Sequence, residues 1–150
     1  MKGHPSLYLA SLFPNLFSFG HYPCILSIGI GILLSLSFPP INASFLSFFG
    51  FIGLYQLVHL SHSYRHLALI SYPAFFVWNL GTTYWLIMAS IPAGIAAIIA
   101  NSAVMLLPMM VIRFIHHRYR LYVWTALFQA ATWVLYEYLH HHWDLAWPWL

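Results

Sequence analysis

Five apolar stretches, each close to the length of one membrane crossing, restrict this chain more than any other feature. A helix that spans the hydrocarbon core needs about 20 mostly apolar residues, with a working range of roughly 17 to 25. The first stretch is "YPCILSIGIGILLSLSF", residues 22–38, closed by Pro39-Pro40, which cannot continue a helix. "INASFLSFFGFIGLYQLVHL" follows over 41–60 and "ALISYPAFFVWNLGTTYWLIMAS" over 68–90. "AGIAAIIANSAVMLLPMMVIRFI" covers 93–115 and "LYVWTALFQAATWVLYEYL" covers 121–139. None alternates apolar and polar residues as a barrel strand would. The pattern predicts an all-α protein: a polytopic membrane bundle of about five transmembrane helices. The short connections predict antiparallel neighbours in one domain, residues 22–150.

Composition agrees with a lipid solvent. Hydrophobic residues make up 62% of the chain and charged ones 5%, against about a quarter charged in a soluble domain. That leaves too little polar side chain to wet a compact globule. A single cysteine, Cys24, excludes an internal disulfide and a multi-cysteine metal framework. The net charge of +3 is too small and too scattered for a nucleic-acid partner.

Residues 1–21 have Lys2 and the apolar "SLYLASLF", but Pro14 and Asn15 interrupt the run and no small-x-small cleavage site follows. An interfacial lead-in that stays attached is expected there. Orientation follows from the basic residues. With the amino terminus in the cytosol, Lys2, Arg65, Arg113, Arg118 and Arg120 all fall on the cytosolic side, as the positive-inside rule requires. Glu137, Asp144 and the aromatic stretch 140–150 then face the outside.

Each candidate site has a plain competitor. His59, His62 and His66 have the spacing to share one helical face, and His116 and His117 lie on the same side. Haem would need imidazoles at matching depth facing one another. These residues instead fall at span ends and loops, so interfacial roles are expected, with no metal and no cofactor. His140, His141 and His142 point about 100° apart on a helix and cannot share one ion. Cys24 lies near one end of its span and Glu137 near the other end of its own, so they cannot act as nucleophile and base. Asn79, Gly81, Thr82, Thr83, Asn101 and Ser102 interrupt the third and fourth spans, where close helix packing and interhelical hydrogen bonds are their expected task. Pro108 is expected to bend the fourth helix. Glu137 sits at a helix carboxyl end, the wrong end for an anion, and His140 or His141 is expected to compensate.

Three segments carry a resemblance. "LSFPPINASFLSFFGFIGL" resembles the first two spans of the apolipoprotein N-acyltransferases, joined by a Phe-Pro-Pro-like turn. "WNLGTTYWLIMASIPAG" is similar to that family's third span and short outer loop. The closing Glu137-Tyr138-Leu139, followed by Trp147-Pro148-Trp149-Leu150, resembles its glutamate and Phe-Pro-Trp-Leu stretch, although "HHHWD" departs from the usual character between them. The resemblance implies a bacterial inner-membrane location and acyl transfer from a phospholipid to the amino-terminal cysteine of a lipoprotein. It also implies that a Glu-Lys-Cys triad is carried by a nitrilase-like domain inserted after these spans. No residue here matches that triad, so catalytic residues are expected to be none and the chain, as an amino-terminal fragment, inactive alone. Glu137, Trp147, Pro148 and Trp149 are expected to border the lipid or lipoprotein substrate. Two other classes remain as rivals: a stand-alone membrane protein that binds lipid or a partner, and a histidine-rich metal or haem carrier.

Overall fold

A computed structural model describes residues 22–119 and 122–142, with the helix but no side-chain detail over 122–126. The expected lead-in over residues 1–21 and the loop residues 143–150 lie outside the described residues. Every regular element among the described residues is helical: α1 Tyr22–Leu36, α2 Leu46–Leu60, α3 Tyr64–Thr83, α4 Trp85–Ala89, α5 Ile91–Val104, α6 Leu106–Tyr119 and α7 Tyr122–His141. The all-α expectation holds there.

The five expected crossings are not all matched by helices of crossing length. One continuous run, Ile91–Tyr119, is long and apolar enough to cross a membrane by length and composition. Helices α1 and α2 are apolar but have 15 residues each, about 22 Å of helix against a hydrocarbon core of about 30 Å. Helices α3 and α7 have 20 residues each. They include Arg65, His66, Asn79, Thr82 and Thr83, and Gln129, Glu137, His140 and His141 respectively, which dilute their apolar character.

Turn chemistry explains where the helices break. After α1, Pro39-Pro40 ends the helix, and Asn42 takes a left-handed φ of 57°, a conformation in which Asn is enriched among non-glycine residues. Its amide donates to the Phe38 carbonyl at 3.0 Å, so α2 starts at Leu46 rather than at Ile41. The third helix starts four residues before Ala68 because Ser63 caps it: the Ser63 hydroxyl accepts from the His66 amide at 3.1 Å. The run Ile91–Tyr119 is interrupted at Met105, just past Val104. Val104 is the residue whose carbonyl Pro108 both crowds and leaves without a donor, so the regular helix breaks where the proline was expected to disturb it.

Helix α3 is the hub and packs against α1, α2, α5 and α6. Gly31 lets α1 approach it closely, since a β-carbon there would stand 2.5 Å from the Ala74 carbonyl oxygen. Ser35 seals the same seam, its hydroxyl 3.1 Å from the Val77 carbonyl. The core runs through Leu34, Leu54, Leu57, Leu67, Phe75, Met109 and Ile112. It ends in an aromatic stack in which Trp133 of α7 lies 5.2 Å from Phe51, 5.9 Å from Phe75 and 6.1 Å from Trp78, centroid to centroid.

Candidate functional site: two hollows sharing one wall

Asn79 is the polar centre of one end of the bundle. It is 4% exposed on α3, surrounded by apolar side chains, and must find partners within the protein. Its amide nitrogen reaches the Phe75 carbonyl at 2.8 Å, the Ser102 hydroxyl at 3.3 Å and the Met105 sulfur at 3.1 Å. Asn101 donates to the Asn79 carbonyl oxygen at 2.7 Å. Thr83 and Thr82 turn back onto the Asn79 and Trp78 carbonyls at 2.5 and 2.9 Å. Asn79, Asn101 and Ser102 therefore make the interhelical bonds expected of them, whereas Thr82 and Thr83 bond back within α3.

Beside this network lies a cavity of about 120 Å³, enough for several waters at about 30 Å³ each. Trp78, Asn79, Thr82 and Thr83 form one wall, Asn101 and Met105 a second, and Trp133, Tyr136, Glu137, His140 and His141 a third. Across the Trp133–Glu137 wall is a groove of about 510 Å³ between α2 and α7. Ser47, Phe48, Phe51, Ile52 and Tyr55 line it from α2, and Gln129, Ala130, Trp133, Val134 and Glu137 from α7. Its size lies within the roughly 300–1,000 Å³ of small-molecule sites. Gln129 closes one end by donating to the Phe51 carbonyl at 3.0 Å. Trp133 and Glu137 line both hollows, of which the smaller is the more polar and the larger the more apolar.

Glu137 is half-buried near the end of α7 and shares the cavity wall with His140 and His141, the neighbours expected to compensate it. The His140 ring stacks on Tyr136 at 5.7 Å. Trp147, Pro148 and Trp149 lie outside the described residues. Cys24 is exposed in the first turn of α1, far along the sequence from any described carboxylate.

The expected shared helical face of His59, His62 and His66 does not form, because Ser61–Ser63 is a turn. His62 stacks on His66 at 5.1 Å, whereas His59 faces His116 at 4.3 Å. Among the described residues no group of three or more His, Cys, Asp or Glu side chains is arranged to hold a metal. Trp133 and Gln129 were not singled out in the sequence. Their one available signal was an i, i+4 spacing with each other and with Glu137, which places them on one face of α7.

Each of the three segments that carry the family resemblance contributes to the lining of these hollows: Ser47 to Ile52 from the first, Trp78 to Thr83 from the second, and Glu137 from the third. The family model of the apolipoprotein N-acyltransferase N-terminal domain matches residues 30–150. The chain belongs to that family. Comparison with curated proteins and with solved structures finds no match. The matched region takes in nearly all of the domain described here, from the middle of α1 through α7.

Proposed function

We propose that these residues form the multi-pass membrane part of an apolipoprotein N-acyltransferase, with five crossings and the Glu137 end facing the periplasm. In this reading α1, α2, α3–α4, α5–α6 and α7 each cross the bacterial inner membrane. Exposed apolar side chains on every long helix support a lipid setting, among them Ile25, Phe48, Leu69, Ile95, Val111 and Val134. A water-facing surface rarely carries so extended an apolar patch. The distribution of Arg65, Arg113 and Arg118 at one end supports the orientation.

One observation carries the functional reading: three segments distant in sequence converge on Trp133 and Glu137, where an apolar groove meets a polar hollow. An acyl chain suits the first and a headgroup or ester the second. Glu137, Trp147, Pro148 and Trp149 border the phospholipid or lipoprotein, and the groove admits lipid from the side. Acyl transfer itself needs the family's Glu-Lys-Cys triad. The one lysine and one cysteine in these 150 residues, Lys2 and Cys24, do not supply it.

A bacterium depleted of its own apolipoprotein N-acyltransferase tests this reading. Mass spectrometry of a diacylated lipoprotein should show N-acylation when the chain is extended by a nitrilase-like domain, and none with the 150 residues alone. Trp149→Ala should reduce the modification more than Ile25→Ala on the exposed face of α1. Equal effects, or a reporter fused at residue 150 that is active only in the cytosol, would overturn it.

A further inference from the structure

The groove between α2 and α7 has two unlike ends and a definite depth. Its walls run from Ser47 to Tyr55 on α2 and from Gln129 to Glu137 on α7. Eight residue steps on each wall make about 12 Å of helix. The two helices run in opposite directions, because α7 follows α6 at the end where His116 meets His59 of α2. Ser47 and Glu137 therefore share one end of the groove, and Tyr55 and Gln129 the other. Phe48, Ile52 and Val134 are 73%, 65% and 65% exposed, so the long side opens away from the bundle, while the buried Trp133 forms the back.

The Gln129 end is closed. Gln129 is 6% exposed, and its amide reaches across to the Phe51 carbonyl at 3.0 Å. Tyr55 stands beside it, backed by the His59 ring edge-on at 4.5 Å. A buried amide in an apolar wall is costly unless bonded, and this bond fixes its position across the gap. The occupant can be argued from size. A helix laid along 12 Å of wall fills about 900 Å³ at a diameter of about 10 Å, well over the 510 Å³ present. A single hydrocarbon chain fits that space and its apolar sides. One leaflet supplies about 15 Å of hydrocarbon, half of the bilayer core. A chain that spans a whole leaflet would overrun the Gln129 end by about 3 Å.

We infer that the groove holds one acyl chain of a phospholipid, with its ester at the Ser47–Glu137 end, and that Gln129 is the stop that limits the length of that chain. This rests on the proposed acyl-chain site and adds to it a length limit and the residue that sets it. Chains up to the limit lie wholly in the groove. Longer ones must fold back, or hold the ester outside the mouth and away from Glu137.

Native mass spectrometry of the purified full chain tests it, with dimyristoyl and distearoyl phosphatidylglycerol in competition. The headgroup is the same, so the ratio retained reads chain length alone. The shorter lipid should be favoured about fivefold, the factor that corresponds to about 1 kcal/mol, the low end of the cost of overpacking. Gln129→Ala deepens the groove and should bring the ratio close to one, whereas Gln129→Met, of equal length, should keep it. Val134→Trp fills the groove from its exposed lip and should also erase the preference, which serves if Gln129→Ala fails to fold. Ile25→Ala, on the exposed face of α1, should change nothing. Equal retention of the two lipids by the parent chain would overturn the inference. So would a preference that survives both Gln129→Ala and Val134→Trp, or one lost as fully with Ile25→Ala. The outcome is separable from that of the acyl-transfer reading. Lipoprotein acylation by the extended chain without a length preference would sink the stop alone, and a length preference without acylation would sink acyl transfer alone.

Discussion

The Asn79 end and the Arg113 end both bury polar groups, but they satisfy them differently. At the Asn79 end the groups are neutral amides and hydroxyls, and bonds such as Asn101 to Asn79 at 2.7 Å close the set across α3 and α5. At the Arg113 end one charged group is tied to the Ser61 carbonyl and hydroxyl, and its Nε is buried without a hydrogen-bond partner. Neutral donors and acceptors can complete one another inside a helix bundle. A buried guanidinium held by one carbonyl and one hydroxyl uses only part of its five donors. The first arrangement suits a self-contained hollow, the second a clamp on the turn between α2 and α3.

The sharpest way to break this contrast is at Trp133, the wall on which the Asn79 end depends. Trp133→Ala removes a side chain that is 5% exposed, stacked on Phe75 and Trp78 and edge-on to Phe51. Unfolding in detergent should show a loss of about 3–5 kcal/mol, the usual result of truncating a buried aromatic residue. A loss below 1 kcal/mol would mean that the two hollows are not separated by a packed wall. Arg113→Leu comes next. It strips Ser61 of its charged donor and should cost about 1.5–3 kcal/mol in the same measurement. An unchanged melting profile would show that the Ser61 turn does not depend on it.

Asn79→Leu should have a smaller effect, about 1 kcal/mol, as interhelical hydrogen bonds in lipid surroundings usually do. The double-mutant cycle with Asn101→Leu should give a coupling of similar size, and additivity would refute the link between α3 and α5.

Local chemistry was legible in the sequence and spatial pairing was not. The Pro39-Pro40 stop, the helix break before Pro108 and the bonding duty of Asn79, Asn101 and Ser102 follow from backbone geometry and from the need to satisfy buried amides. The early start of α3 turned on one hydroxyl, Ser63, whose capping bond outweighed the helical spacing of His59, His62 and His66. The partnership of His59 with His116 and the shared wall of Trp133 and Glu137 depend on which helices become neighbours. No periodicity within one helix contains that information. The family match adds membership over residues 30–150, and the convergence of the three resembling segments emerges only in space.

The helical run Ile91–Tyr119 has a further implication. Its 29 residues measure about 43 Å, well beyond a hydrocarbon slab of about 30 Å. In a bilayer the surplus has to be absorbed by leaning, by kinking at the Met105 break, or by protrusion past the lipid surface. Each of these changes the height of Arg118 above the slab. A thicker bilayer draws that end inward and a thinner one pushes it out, so bilayer thickness sets how deeply the cationic end sits.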